Sequence, residues 1–286
     1  MLSSVSVIPL KRSLFLIGCT LALAGCETVA SKVKLSPEVA ASSQVNIASL
    51  SDVVARNPQD PEAYNTRGSA LARAGKYKEA LIDFDAALRL NPNFAKAYAN
   101  RALAQVSLGQ QQLALADYER AITADPNYVT AYLGRGNLYR QAAQYDRALN
   151  DYNRVIEIDR HNAEAYHNRG LVQQAQSQHM FAVEDFNRAI TADANAVPPR
   201  VARGISYIAL NDPKAALDDF NTALATAPGS VEAWIGRGQA YEAMNDRERA
   251  KASYARAVQV APKNAAAREA FNRVGGKAGQ TYNLVN

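Results

Sequence analysis

The hexapeptide "AYHNRG" (165–170) has relatives at "AYNTRG" (63–68), "AYANRA" (97–102), "AYLGRG" (131–136), "PRVARG" (199–204) and "AWIGRG" (233–238), each starting 34 residues after the last. The interval governs far more than the hexapeptide. Numbered from Pro61, six units of 34 residues run to Asn264 without insertion or deletion. Place 4 is aromatic in five units (Tyr64, Tyr98, Tyr132, Tyr166, Trp234). Place 8 is small in all six (Gly68, Ala102, Gly136, Gly170, Gly204, Gly238). Place 20 is always alanine, from Ala80 to Ala250, and place 24 always aromatic, from Phe84 to Tyr254.

Places 4, 8 and 11 share one face of a first helix, and places 20, 24 and 27 one face of a second. Polar turns such as "LGQQ" (108–111) and "MNDR" (244–247) separate the two. Proline at place 32 in four units ends the second helix. Asp60, Asn93, Asn127, Asn162, Asn195 or Ser230 then stands where it can cap the next. A single hairpin cannot bury its own apolar face, so the units must stack.

Period and pattern together resemble the tetratricopeptide repeat over about 204 residues in unbroken register. The resemblance implies an all-α fold, a right-handed superhelical solenoid of six helix hairpins (61–94, 95–128, 129–162, 163–196, 197–230, 231–264). Capping helices are expected at 45–60 and 265–274, then a flexible tail over 275–286. The pattern has departures: Arg160 and Ala194 take the proline place, and Gln105 and Gln173 replace an aromatic. Unit five opens with Pro198, Pro199 and Arg200, which predicts a first helix that starts late.

A charged column runs through this apolar frame. Place 7 is Arg67, Arg101, Arg135, Arg169, Arg203 and Arg237; place 23 is Asp83, Asp117, Asp151, Asp185 and Asp219, changing to Ser253 in the last unit. The guanidinium fork suits bidentate contact with a carboxylate, so the two columns predict a structural ladder of ion pairs. The other reading, a row of cations for an acidic ligand, leaves the recurring aspartate unexplained.

The segment "KRSLFLIGCTLALAGC" (11–26) has two cations, an apolar run and a small-residue end, the layout of a secretory signal. Its ending "LAGC" (23–26) resembles the lipobox of bacterial lipoproteins. That resemblance implies removal of residues 1–25 and acylation of Cys26, with palmitate-type chains holding the protein in a membrane. The polar stretch 26–44 is expected to act as a tether. Glu27, in place of aspartate, leans the expectation to the periplasmic face of the outer membrane. Cys19 leaves with the signal, so no mature thiol remains.

Charge is nearly balanced. Without Lys11 and Arg12, 30 basic residues face 27 acidic ones. That balance gives no nucleic-acid footprint.

The family's inner face is lined by places 2, 5, 9, 12 and 13 of the first helices. The resemblance therefore implies a partner-binding groove containing Leu103 and Val106, then Leu133, Asn137 and Arg140, then His167, Leu171 and Gln174. Val201, Ile205 and Ile208 continue it as an apolar stripe, followed by Ile235 and Gln239. Place 5 carries no lysine, so the carboxylate clamp of chaperone-binding relatives is absent. His161, His167 and His179 have no zinc spacing, and His167 is expected to be a solvated groove residue. With no nucleophile elbow or phosphate loop, the chain is expected to be no enzyme and to need no metal or cofactor. The expected function is a lipid-anchored adaptor that binds a peptide segment or helix of envelope proteins, such as peptidoglycan hydrolases or proteases. The alternative is a pilotin-like assembly factor for a pilus or secretion subunit; the repeat faces also allow a homodimer.

Overall fold

The computed structural model describes residues 37–276, and every regular element among them is an α-helix. After α1 (Pro37–Arg56) come six hairpins. They are α2 (Pro61–Arg73) with α3 (Tyr77–Leu90), α4 (Ala95–Ser107) with α5 (Gln111–Ala124), and α6 (Val129–Gln141) with α7 (Tyr145–Ile158). Then follow α8 (Ala163–Ala175) with α9 (His179–Ala192), α10 (Val197–Ala209) with α11 (Pro213–Thr226), and α12 (Val231–Ala243) with α13 (Arg247–Val260). A last helix, α14 (Ala265–Arg273), closes the stack.

Each first helix occupies places 1–13 of its unit and each second helix places 17–30. This holds for α10 too, which begins at Val197 and does not start late. Pro198 and Pro199 fall in its first turn, where backbone N–H groups have no intrahelical partner to lose. Asp60, Asn162 and Ser230 cap α2, α8 and α12 through their side chains. Asn93, Asn127 and Asn195 do not cap; each gives its N–H to the side chain of Asn91, Asp125 or Asp193 in the turn.

First helices end in one way. Place 15 is left-handed in every unit: Gly75, Gly109, Ala143, Ser177, Asn211 and Asn245, with φ between 54° and 76°. The next N–H then bonds back to the helix, as Lys76 does to the Leu71 carbonyl at 2.9 Å. α14 ends likewise: Gly275 is left-handed and Gly276 donates to Phe271 O at 2.9 Å. These two glycines are a helix stop, not the start of a frayed tail.

Within hairpins, small residues let helices approach until rings fill the remaining space. A methyl group added at Gly170 would lie 2.7 Å from Phe186 Cε1, and one at Gly68 2.8 Å from Phe84 Cε1. Among the described residues successive first helices touch one another, from α2 with α4 through to α12 with α14, whereas each second helix touches only the first helices flanking it. A stack with one layer in contact and the other splayed curves toward the contacting layer. The first helices therefore line the inner face.

α1 covers the open side of α2, burying Val54 and half-burying Ile47. It begins at Pro37, within the stretch read from sequence as a tether. Among the described residues no helix is long and apolar enough to cross a membrane. Cys26, the signal segment and residues 277–286 lie outside the described residues.

Candidate partner-binding groove

Two polar systems run along the stack, one between the layers and one on the inner face. Between the layers, Arg67, Arg101, Arg135, Arg169 and Arg203 each donate through Nε and Nη2 to both carboxylate oxygens of the aspartate sixteen residues on, at 2.5–3.0 Å. The aspartate side chains are only 2–6% exposed. Hydrogen bonding to the partner carboxylate raises the guanidinium pKa of Arg67, Arg135, Arg169 and Arg203. Three arginines also reach the preceding unit: Arg101 to Asp85, Arg169 to Asn153 and Arg203 to Asn187. Each guanidinium lies over a ring, the place-4 aromatic in five units. In unit five, where Arg200 takes that place, Tyr207 supplies the ring. These arginines tie helices together and leave no open cation.

Arg237 is different. Ser253 replaces its aspartate and spends its hydroxyl on Arg249 O, and the buried Arg237 Nε has no partner.

On the inner face, Leu103 and Ile205 stand out to solvent, at 59% and 41% exposure, and Gln239 is exposed as well. Val106, Leu133, Asn137, Arg140, His167, Leu171, Gln174, Ile208 and Ile235 are half-buried. Val201 is not available: it is 9% exposed, clustered with Phe220 and Trp234. Ile208 and Ile235 lean on the same cluster, so the expected apolar stripe reduces to Ile205. Gln174 is committed to the next unit, donating to Ala202 O at 3.0 Å and Ser206 Oγ at 2.9 Å.

His167 is not a solvated side chain. Burial first, and the charge of Arg140 second, push its pKa down to about 4, so it is neutral at physiological pH. Its Nδ1 and the neighbouring Arg140 Nε are buried without hydrogen-bond partners. Tyr152 joins this cluster by donating to Asn137 Oδ1 at 2.8 Å.

At the amino-terminal end the groove deepens into a cavity of about 410 Å³, walled by Arg73, Tyr77, Lys96, Asn100 and Leu103. There Asn100 donates to Asn65 Oδ1 at 2.8 Å and to Ser69 Oγ at 3.2 Å. Sequence reasoning missed Asn100 and Tyr152. The available signals were asparagine at place 6 in two units, Asn100 and Asn168, and tyrosine where three units use phenylalanine at place 24. A buried hydroxyl needs a partner. Among the described residues no group of three His, Cys, Asp or Glu side chains could hold a metal ion.

Family profiles described as "Tetratricopeptide repeat" match residues 61–94 and 207–271, and one described as "TPR repeat" matches 104–142 and 136–177; together they span more than half of the chain. Comparison with curated protein sequences gave no match. Solved structures share the fold. A chain of the APC/C hetero-tetramer Cut9–Hcn1 is similar with a TM-score of 0.71 at 18% identity, over 82% of this chain but only 46% of that one. YrrB, described as a TPR protein with an unusual peptide-binding site, is similar with a TM-score of 0.55 at 25% identity, over 66% of this chain and 97% of its own. The pilF protein of Pseudomonas aeruginosa is similar with a TM-score of 0.67 at 16% identity, over 74% of this chain and 97% of its own.

Proposed function

Because the chain belongs to the tetratricopeptide-repeat family, we propose that it is an adaptor of the bacterial cell envelope, anchored by acylated Cys26 and holding a peptide segment or helix of a partner protein in its groove. The observation that carries this reading is the inner face itself. First helices pack side by side along its whole length, yet Leu103 and Ile205 remain open to solvent there. Apolar side chains spared from stacking are what a peptide needs for anchorage. The cavity beside Leu103 has room for a side chain, and Asn100 and Ser69 line the same wall. Binding of this kind needs no covalent chemistry, which fits an inner face whose histidine is neutral and half-buried.

A photo-crosslinking residue at position 205, introduced into the full chain in its native cells, tests the proposal. Envelope proteins such as wall hydrolases or proteases should be captured from position 205 and not from the outward-facing position 184. Replacing Cys26 by serine should release the protein from the membrane fraction. Equal capture from both positions would defeat the groove reading, and capture of a pilus or secretion subunit would assign the assembly role instead.

A further inference from the structure

Place 12 of each first helix points toward the following first helix, and its polar occupants show what it demands. Gln174 is met by Ser206 Oγ and the Ala202 carbonyl. Glu242 is met by Arg273, with Nη2 to Oε2 at 2.8 Å. Arg140 is the third polar residue at this place, and the residue that corresponds to Ser206 opposite it is Val172, which cannot hydrogen-bond. No carboxylate among the described residues pairs with Arg140, and its Nε is buried without a partner. Five of the six ladder arginines, by contrast, each hold an aspartate. A half-buried guanidinium without a counter-charge carries a desolvation cost that a matching anion would offset.

Around Arg140 the groove is arranged to receive such an anion. His167 offers a ring nitrogen with no partner and packs its ring 5.8 Å from Phe186. The Tyr152 hydroxyl donates to Asn137 Oδ1 from α6 and lies within hydrogen-bond reach of Arg140, which brings a neutral oxygen and no counter-charge to the guanidinium. Leu133 and Leu171 flank the cluster as half-buried apolar contacts. Of the two acids that act on Tyr152 through their fields, Asp151 is held by Arg135 and Glu164, in the first turn of α8, is exposed.

Resting on the groove reading above, we infer that Arg140, with His167 and Asn137 beside it, forms a subsite for an aspartate or glutamate side chain of the docked segment. The partner class is thereby narrowed to segments with an acid set among apolar residues, the apolar ones resting on Leu103 and Ile205 to either side. A carboxylate fits the planar fork through two oxygens. It also turns the imidazole from a neutral bystander into a donor, because a nearby negative charge favours the protonated ring.

Selection of random twelve-residue peptides on the immobilised full chain tests this, using wild type, Arg140→Gln and Arg140→Lys in parallel. Wild type should enrich Asp or Glu at one fixed position by about tenfold. Arg140→Gln should still select peptides but lose that preference, and Arg140→Lys should keep part of it. With a selected peptide bound, the His167 imidazole should titrate above its free value of about 4, and the same peptide with Asn for Asp should leave it unmoved. Peptides selected without acid preference, or a preference that survives Arg140→Gln, would overturn the subsite and leave the groove standing. Failure to select any peptide would overturn both.

Discussion

At the scale of single residues, one chemical pair decides how the charged column behaves. Arg169 and Asp185 lie in bidentate contact at 2.7 Å with the aspartate almost fully buried. Removing the arginine would leave that carboxylate without its counter-charge, so Arg169→Ala should cost roughly 3 kcal/mol in chemical denaturation. Ser253→Asp should do the reverse. Arg237 is half-buried with its Nε already out of water and unpartnered, and giving it a partner should add about 1 kcal/mol. A Ser253→Asp protein less stable than wild type would show that the last rung has no room for a carboxylate. The ladder could be read in the sequence because its partners recur in two columns with one period. Arg140 could not. Its state depends on Val172, 32 positions away, and only the crossing of α6 and α8 brings the two places together. Val201 differs from expectation for a related reason: place 5 is buried at Asn65 and Ala99 and half-buried at Leu133, His167 and Ile235, and in unit five the cluster holding Phe220 and Trp234 closes over it.

At the scale of elements, the hairpin turn is the most uniform part of the molecule. Every first helix stops on a left-handed residue, and where no glycine or asparagine is present the backbone is strained. Ala143 holds φ at 54° and Ser177 at 60°. Ala143→Gly should therefore raise stability by about 0.5–1 kcal/mol, seen as a higher melting temperature. No change, or a fall, would mean that the freedom gained by the unfolded chain outweighs the strain released. Helix boundaries in the repeats were legible because period, proline and turn residues agree. The left-handed role of Ala143 and Ser177 was hidden, since neither residue type announces it. The early start of α1 at Pro37 was hidden too, because the polar composition of 37–44 resembles a linker as much as a solvated helix.

At the scale of the whole molecule, stability is local. Among the described residues no helix contacts anything beyond the adjoining unit, so damage at one end should stay there. Phe271 on α14 is buried in the cluster that holds Tyr241 and Tyr254. Phe271→Ala should cost about 3 kcal/mol locally and speed amide exchange in α12 and α13 while α2 to α5 stay protected. Uniform loss of protection would instead reveal one cooperative block. The same arrangement bears on how such a chain changes over generations. Every seam joins equivalent residues, so unequal exchange between two copies of the coding segment would add or delete a whole hairpin and still leave matching neighbours on both sides. The span of the arc, and with it the length of guest it can embrace, is open to change in 34-residue steps without a new interface having to be invented.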